Sequence, residues 1–151
     1  MIVKLHGCSG AGKTTVARCL FDMAEEVTTI DVAGHKGRHE AYCCLLRGFK
    51  SPVFVLGSYQ NNCGGMDTVS SAERAIEMVG FYSKEGHVFH EGLLQSTYYG
   101  EMGKDSQQYG QRYIYAFLNT PLEVCLERIV ARREAAGSKN KFNPELTADK
   151  W

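Results

Sequence analysis

Residues 7–14 read Gly-Cys-Ser-Gly-Ala-Gly-Lys-Thr, a complete G-x-x-x-x-G-K-[ST] loop. Its flanks constrain the fold as much as the loop does. Ile2-Val3-Lys4-Leu5-His6 reads as a buried strand, and Thr15 to Glu25 carries Val16, Cys19, Leu20, Met23 and Ala24 at helical spacing. A strand, a glycine-rich turn and a helix start form a β–α unit, and that unit is the context in which this loop cradles phosphate. Glycines 7, 10 and 12 let backbone N–H groups approach phosphate oxygens, and the helix N-terminus adds partial positive charge. The expected nucleotide contacts are Gly7, Cys8, Ser9, Gly10, Ala11, Gly12, Lys13, Thr14 and Thr15. Lys13 reaches the β- and γ-phosphates of ATP, and the Thr14 hydroxyl holds Mg²⁺.

Further strands are read at 27–32, 53–56, 87–90 and 113–118, and 33–51 fits either a short helix over 41–46 or more strand. Ser70-Ser71-Ala72-Glu73 opens a helix to about Tyr82, Leu93 to Tyr99 begins another, and Thr120-Pro121-Leu122-Glu123 caps a last one ending near Ala136. Strands alternating with helices predict α/β: a three-layer, kinase-like P-loop NTPase fold on a mainly parallel five-stranded sheet. The 151 residues suit one domain over 1–151, with 137–151 a lid-adjacent loop or terminal tail.

The chain has 17 basic and 17 acidic residues, so its overall charge gives no sign of a polyanionic partner. Local charge does. Lys36, Arg38, Arg47 and Lys50 cluster in 34–50, and Arg128, Arg132, Arg133, Lys139 and Lys141 in 128–141. No apolar run approaches the roughly 20 residues of a membrane span. The N-terminus runs straight into the first strand, so no signal peptide is expected and the cytoplasm is the expected compartment. None of the six cysteines forms a C-x-x-C pair. They read as reduced thiols, with Cys19 and Cys125 on apolar helix faces. His35 and His39 lack a third ligand with zinc-like spacing.

Phosphoryl transfer needs charge neutralisation, a held metal and a positioned nucleophile. Glu91 ends an apolar strand, where it can orient Mg²⁺ through water. Arg128 and Arg132 share a helix face and can clamp a transferring phosphoryl group. The loop 57–68 emerges at the ligand-binding edge of the sheet. It offers Gly64 and Gly65 for close backbone approach, Tyr59 for stacking on a base, and Asp67 to take a proton from a substrate hydroxyl. Asp31, closing the second strand, competes for that base role.

The stretches Leu56-Gly57-Ser58-Tyr59, Cys63-Gly64-Gly65-Met66-Asp67-Thr68, Phe89-His90-Glu91-Gly92 and Asn119-Thr120-Pro121-Leu122-Glu123-Val124-Cys125-Leu126-Glu127-Arg128 together resemble phage-encoded P-loop kinases. Within that group the chain is similar to the 5-hydroxymethyluracil DNA kinases, as is Asn143-Pro144-Glu145-Leu146-Thr147. The resemblance implies ATP-dependent phosphorylation of the hydroxymethyl group of a modified base in DNA. Two other readings stand beside it. One is a kinase of free nucleosides, nucleotides or 5′-hydroxyl ends, which neutral net charge favours. The other is a nucleotide-dependent switch that phosphorylates no acceptor.

Overall fold

The computed structural model describes residues 1–61, 64–92, 110–137 and 143–145. The order is β1 (Ile2–His6), α1 (Lys13–Met23), β2 (Ala24–Asp31), β3 (His39–Leu46), β4 (Val53–Leu56), a 3₁₀ turn (Met66–Thr68), α2 (Ala72–Glu85), β5 (His87–Glu91), β6 (Tyr113–Phe117) and α3 (Leu122–Ala135). The helix expected from Leu93 lies outside the described residues, as does most of the expected tail.

The strands form one six-stranded sheet in the order β2-β3-β4-β5-β1-β6. Pairs β4–β5, β5–β1 and β1–β6 are parallel, whereas β2–β3 and β3–β4 are antiparallel. The expectation of five mainly parallel strands is therefore corrected to six mixed strands. The added strand is the ambiguous segment, which folds as β3 and makes a hairpin with β2. That hairpin extends the parallel centre at one edge. Its outer strand is polar and exposed (Glu25, Glu26, Thr28, Thr29), a composition that discourages further edge pairing. α1 also starts and stops two residues earlier than expected, because the chain enters β2 directly at Ala24.

Side-chain alternation divides the core between two sheet faces. On one face Leu5, Val53, Val55 and Phe89 pack with Ala17 of α1, joined by Val16, Leu20 and Phe21. On the other, Ile2, Phe54, Leu56 and Val88 pack with Ala75, Met78, Val79 and Tyr82 of α2. β4 is buried on both faces, which explains why it is a continuous apolar run. No helix among the described residues is long and apolar enough to cross a membrane.

α2 is capped one residue later than the sequence suggests: the Ser71 hydroxyl accepts from the Arg74 N–H. α3 has no side-chain cap. Thr120, expected to supply it, instead donates its hydroxyl to Ala11 O at 3.0 Å and ties the chain before α3 to the glycine-rich loop.

Candidate active site

The glycine-rich loop joins the C-terminal end of β1 to α1, in the centre of the parallel strands. Open α/β sheets bind ligands beyond such strand ends. Gly12 adopts φ +100° as the residue before α1, and no side chain caps or acidifies the first turn of the helix. The orphan N–H groups there are thus left to a ligand rather than to the protein's own side chains. A Cβ on Gly10 would lie 2.4 Å from Cys125 O, so glycine is required for α3 to press on the loop. That contact is reinforced by the Cys8 thiol, whose Sγ lies 3.1 Å from Cys125 Sγ.

One cleft of about 590 Å³ opens over the loop. Ser9 to Thr15 line it, together with Gly64, Asp67, Glu91, Arg128 and Arg132. The Lys13 ammonium donates to Gly7 O and Cys8 O at 2.8 and 2.9 Å, which holds it against the loop. Thr14 Oγ1 donates to Glu91 Oε1 at 3.0 Å. Glu91 ends β5, paired in parallel with β1, and this adjacency is what brings the strand-end acid to the helix start. Only 2% of Glu91 is exposed. Burial raises its pKa, and the charge of Asp67 adds to that; the Thr14 hydrogen bond and the charge of Lys13 oppose it. Hard oxygen donors paired in this way, beside a cation-lined cleft, suit Mg²⁺ and phosphate. Arg128 donates to Gly10 O at 3.3 Å, and Arg132 lies one turn further along α3.

The loop from Gly57 to Thr68 is anchored at several points. Gly57 N–H donates to Glu40 O, Tyr59 N–H to the Tyr42 hydroxyl, and Arg18 of α1 to Asn61 O at 2.8 Å. Ser58 and Gly65 pair across it. Gly65 (φ +76°) passes so close to Glu91 that a Cβ would sit 2.5 Å from its carbonyl oxygen. This packing aims Asp67 into the cleft, where it is exposed.

Three sequence expectations differ from the structure here. Tyr59, expected to stack on a base, does not line the cleft: it is 6% exposed, packed against Phe21 and Tyr42 beneath the loop, and burial drives its phenol pKa well upward. Asp31 does not reach the cleft, because β2 is the outermost strand of the hairpin. Its carboxylate accepts from Gly37 N–H and pairs with His39, each at 2.7 Å. Those bonds, the Gly37 amide foremost, lower its pKa. Cys19, expected on an apolar face, is exposed.

The sequence pattern does not single out Lys4, a fully buried lysine in the central strand. Burial lowers its pKa to about 8, against an opposing pull from Asp67. On the same sheet face lie His90 and His6. Burial, aided by the charge of Lys4, depresses His90 to about 3 and His6 to about 4. His90 Nε2 lies 2.8 Å from the Tyr113 hydroxyl. A neutral, hydrogen-bonded histidine fills an otherwise apolar strand position, which accounts for the polar residue before Glu91. The signal for this face is a lysine and two histidines interrupting apolar strands.

No family model matches the chain, and no solved structure matches it. Phage proteins do. It is 34% identical to a 5-hmdU DNA kinase of Pseudomonas phage PaMx11, over 99% of this chain and 79% of that protein. It is likewise 34% identical to a 5-hmdU DNA kinase of Pseudomonas phage M6, over 86% of this chain and 71% of that protein. A 5-hmdU DNA kinase 1 of Salmonella phage ViI is 24% identical over 97% of this chain. With a third of its residues shared over nearly its whole length, the chain belongs to the 5-hmdU DNA kinase family.

Proposed function

We propose that this chain is a single P-loop NTPase-type kinase domain that uses ATP and Mg²⁺ to phosphorylate the hydroxymethyl group of 5-hydroxymethyluracil in DNA, in the host cytoplasm of a phage that encodes it. The observation that carries the reading is the convergence of Lys13, Thr14, Asp67, Glu91, Arg128 and Arg132 on one cleft, in a chain of this family.

In this reading, ATP lies along the glycine-rich loop, its phosphates met by the first-turn N–H groups of α1 and by Lys13. Thr14 Oγ1 and, through water, Glu91 would hold Mg²⁺, which when bound would neutralise charge on the phosphates. Asp67 accepts the proton of the hydroxymethyl group. The freed oxygen bonds to the γ-phosphorus as the bond to the β–γ bridging oxygen breaks, and ADP leaves. Arg128 and Arg132 hold charge that spreads over the transferring oxygens. Gly64 lines the cleft, and the Gly64–Gly65 backbone keeps its wall thin where the base is presented. A base in a duplex must leave the stack to bring its hydroxyl in line.

The test is phosphate transfer from labelled ATP to DNA containing 5-hydroxymethyluracil, compared with the same DNA containing thymine, both with blocked 5′ ends, and with the free nucleoside. Label on the modified DNA alone supports the reading. Equal labelling of both DNAs, or efficient labelling of only the free nucleoside, overturns it.

A further inference from the structure

A second cleft, of about 330 Å³, lies on the far side of the loop that carries Asp67. Arg38, His35, Ser58, Gln60, Asn61 and Arg74 line it. Its volume is at the lower end of the roughly 300–1,000 Å³ typical of small-molecule sites, enough for one nucleotide unit. The two clefts share a wall. Asp67 faces the first and Thr68, the next residue along a backbone step of about 3.8 Å, faces the second. Thr68 Oγ1 is fixed there, donating to Gly65 O at 2.7 Å and accepting from Ser58 N–H at 2.9 Å. Gln60 Nε2 donates to Gly37 O and ties the wall to the tip of the β2–β3 hairpin.

The charges in this cleft do not cancel. Its acid, Glu40, is engaged by Arg74 at 3.0 Å and by the Tyr82 hydroxyl at 3.1 Å. His39 is paired with Asp31. Arg38 lines the cleft and Lys36, two residues before it, lies outside the lining, where its charge also acts on Asp31; both are exposed on the hairpin turn and neither makes an ion pair among the described residues. A protein of zero net charge thus places Arg38 and a set of hydroxyl and amide donors in a cleft that shares a wall with the one holding its proposed catalytic acid.

We infer that this second cleft is a subsite for the sugar–phosphate backbone of the DNA strand, holding a nucleotide next to the base being phosphorylated, with Arg38 and Lys36 on its phosphates. The inference rests on the proposed DNA kinase reading and adds to it the element that favours a polymer over a free nucleoside. A nucleoside would leave this cleft without a contact.

The test is direct binding, read by fluorescence anisotropy, of a labelled single-stranded oligonucleotide containing 5-hydroxymethyluracil across a range of salt. The proteins are wild type, the double variant Lys36→Gln/Arg38→Gln, and Arg47→Gln. Arg47 is also exposed, pairs with Glu25, and follows the far end of β3, roughly 25 Å along an eight-residue strand. The expected result is about tenfold weaker binding by the double variant, with the slope of log affinity against log salt reduced by about 1.4, or about 0.7 for each of two phosphates. ATP affinity in the double variant and DNA affinity in Arg47→Gln stay at wild-type values. Unchanged affinity and slope in the double variant, an equal loss in Arg47→Gln, or no DNA binding by wild type overturns the subsite. Binding is read without phosphoryl transfer, so the two proposals fail separately. A wild type that binds DNA through Arg38 and Lys36 but labels nothing keeps the subsite and loses the kinase.

Discussion

Asp67 and Asp31 compete for the base role in sequence, with Asp67 the preferred of the two, and the fold places only Asp67 in the cleft over the glycine-rich loop. Asp67 lines the cleft with Lys13 and Glu91, while Asp31 is committed to Gly37 and His39 at the outer edge. Asp67→Asn should leave ATP affinity unchanged and lower kcat by roughly a hundredfold or more, the usual scale for losing a general base. Asp31→Asn should keep kcat within about threefold of wild type, since only a surface turn is affected. Single-turnover transfer with both variants checks this, and the reverse pattern would reassign the base. The place of the glycine-rich loop in the cleft is legible because its glycine spacing sets the backbone turn between β1 and α1. Glu91 is legible because it ends a strand, and Arg128 and Arg132 because they share a helix face. Tyr59 is not, because its burial is set by Phe21 and Tyr42, 38 and 17 positions away, and no local pattern records that. Lys4 is hidden because a lysine in a strand ordinarily marks a solvent-facing position; only the placement of β1 between β5 and β6 buries it.

At the scale of elements, the β2–β3 hairpin is the main departure from expectation. β3 reads His-Glu-Ala-Tyr-Cys-Cys-Leu-Leu, with adjacent buried residues at 41 and 42 rather than strict alternation, so neither a period of two nor one of 3.6 stands out. Antiparallel pairing with β4, not propensity, decides it. The loop before α2 depends on another feature that local sequence leaves open, a close approach to Glu91 that only glycine permits. Two glycines with similar φ make the distinction measurable. Gly34 (φ +77°) sits on the hairpin turn, where an added methyl carbon would meet nothing within 4 Å, whereas the same carbon at Gly65 would strike Glu91. Gly34→Ala should cost about 1 kcal/mol, the backbone penalty alone. Gly65→Ala should cost more, roughly 2 kcal/mol or above, and should raise the Mg²⁺ concentration needed for half-maximal turnover, because Glu91 must move. Urea unfolding and Mg²⁺ titrations report the two effects; equal costs for the two variants would mean that the Gly65–Glu91 contact does not constrain the site.

For the whole molecule, the buried face that carries Lys4, His6 and His90 links stability to pH. Both histidines are held neutral in the fold, with pKa values of about 4 and 3, but take up protons near 6.5 once unfolded. Their contribution is therefore fully present above pH 6.5 and is lost as pH falls through the folded values. Where both are protonated only in the unfolded chain, the slope is about 1.4 kcal/mol per pH unit for each. Asp31 and Glu73, whose pKa values are lowered, act in the same direction at lower pH, and Glu91, raised, acts against them. Urea midpoints between pH 7 and pH 5 should fall steeply for wild type and by about half as much for His90→Gln, which retains a partner for Tyr113; equal slopes would show that His90 is not buried neutral. The central claim is that the cleft over the glycine-rich loop transfers phosphate to a base hydroxymethyl group. Its most direct test is fragment mass spectrometry of an end-blocked oligonucleotide carrying one 5-hydroxymethyluracil, after incubation with ATP, Mg²⁺ and either wild type or Lys13→Ala. The account predicts one phosphate, on the modified base, with wild type and none with a Lys13→Ala protein whose circular dichroism matches wild type. Phosphate added at the wild-type rate by Lys13→Ala, or added anywhere but the hydroxymethyl group, would contradict it.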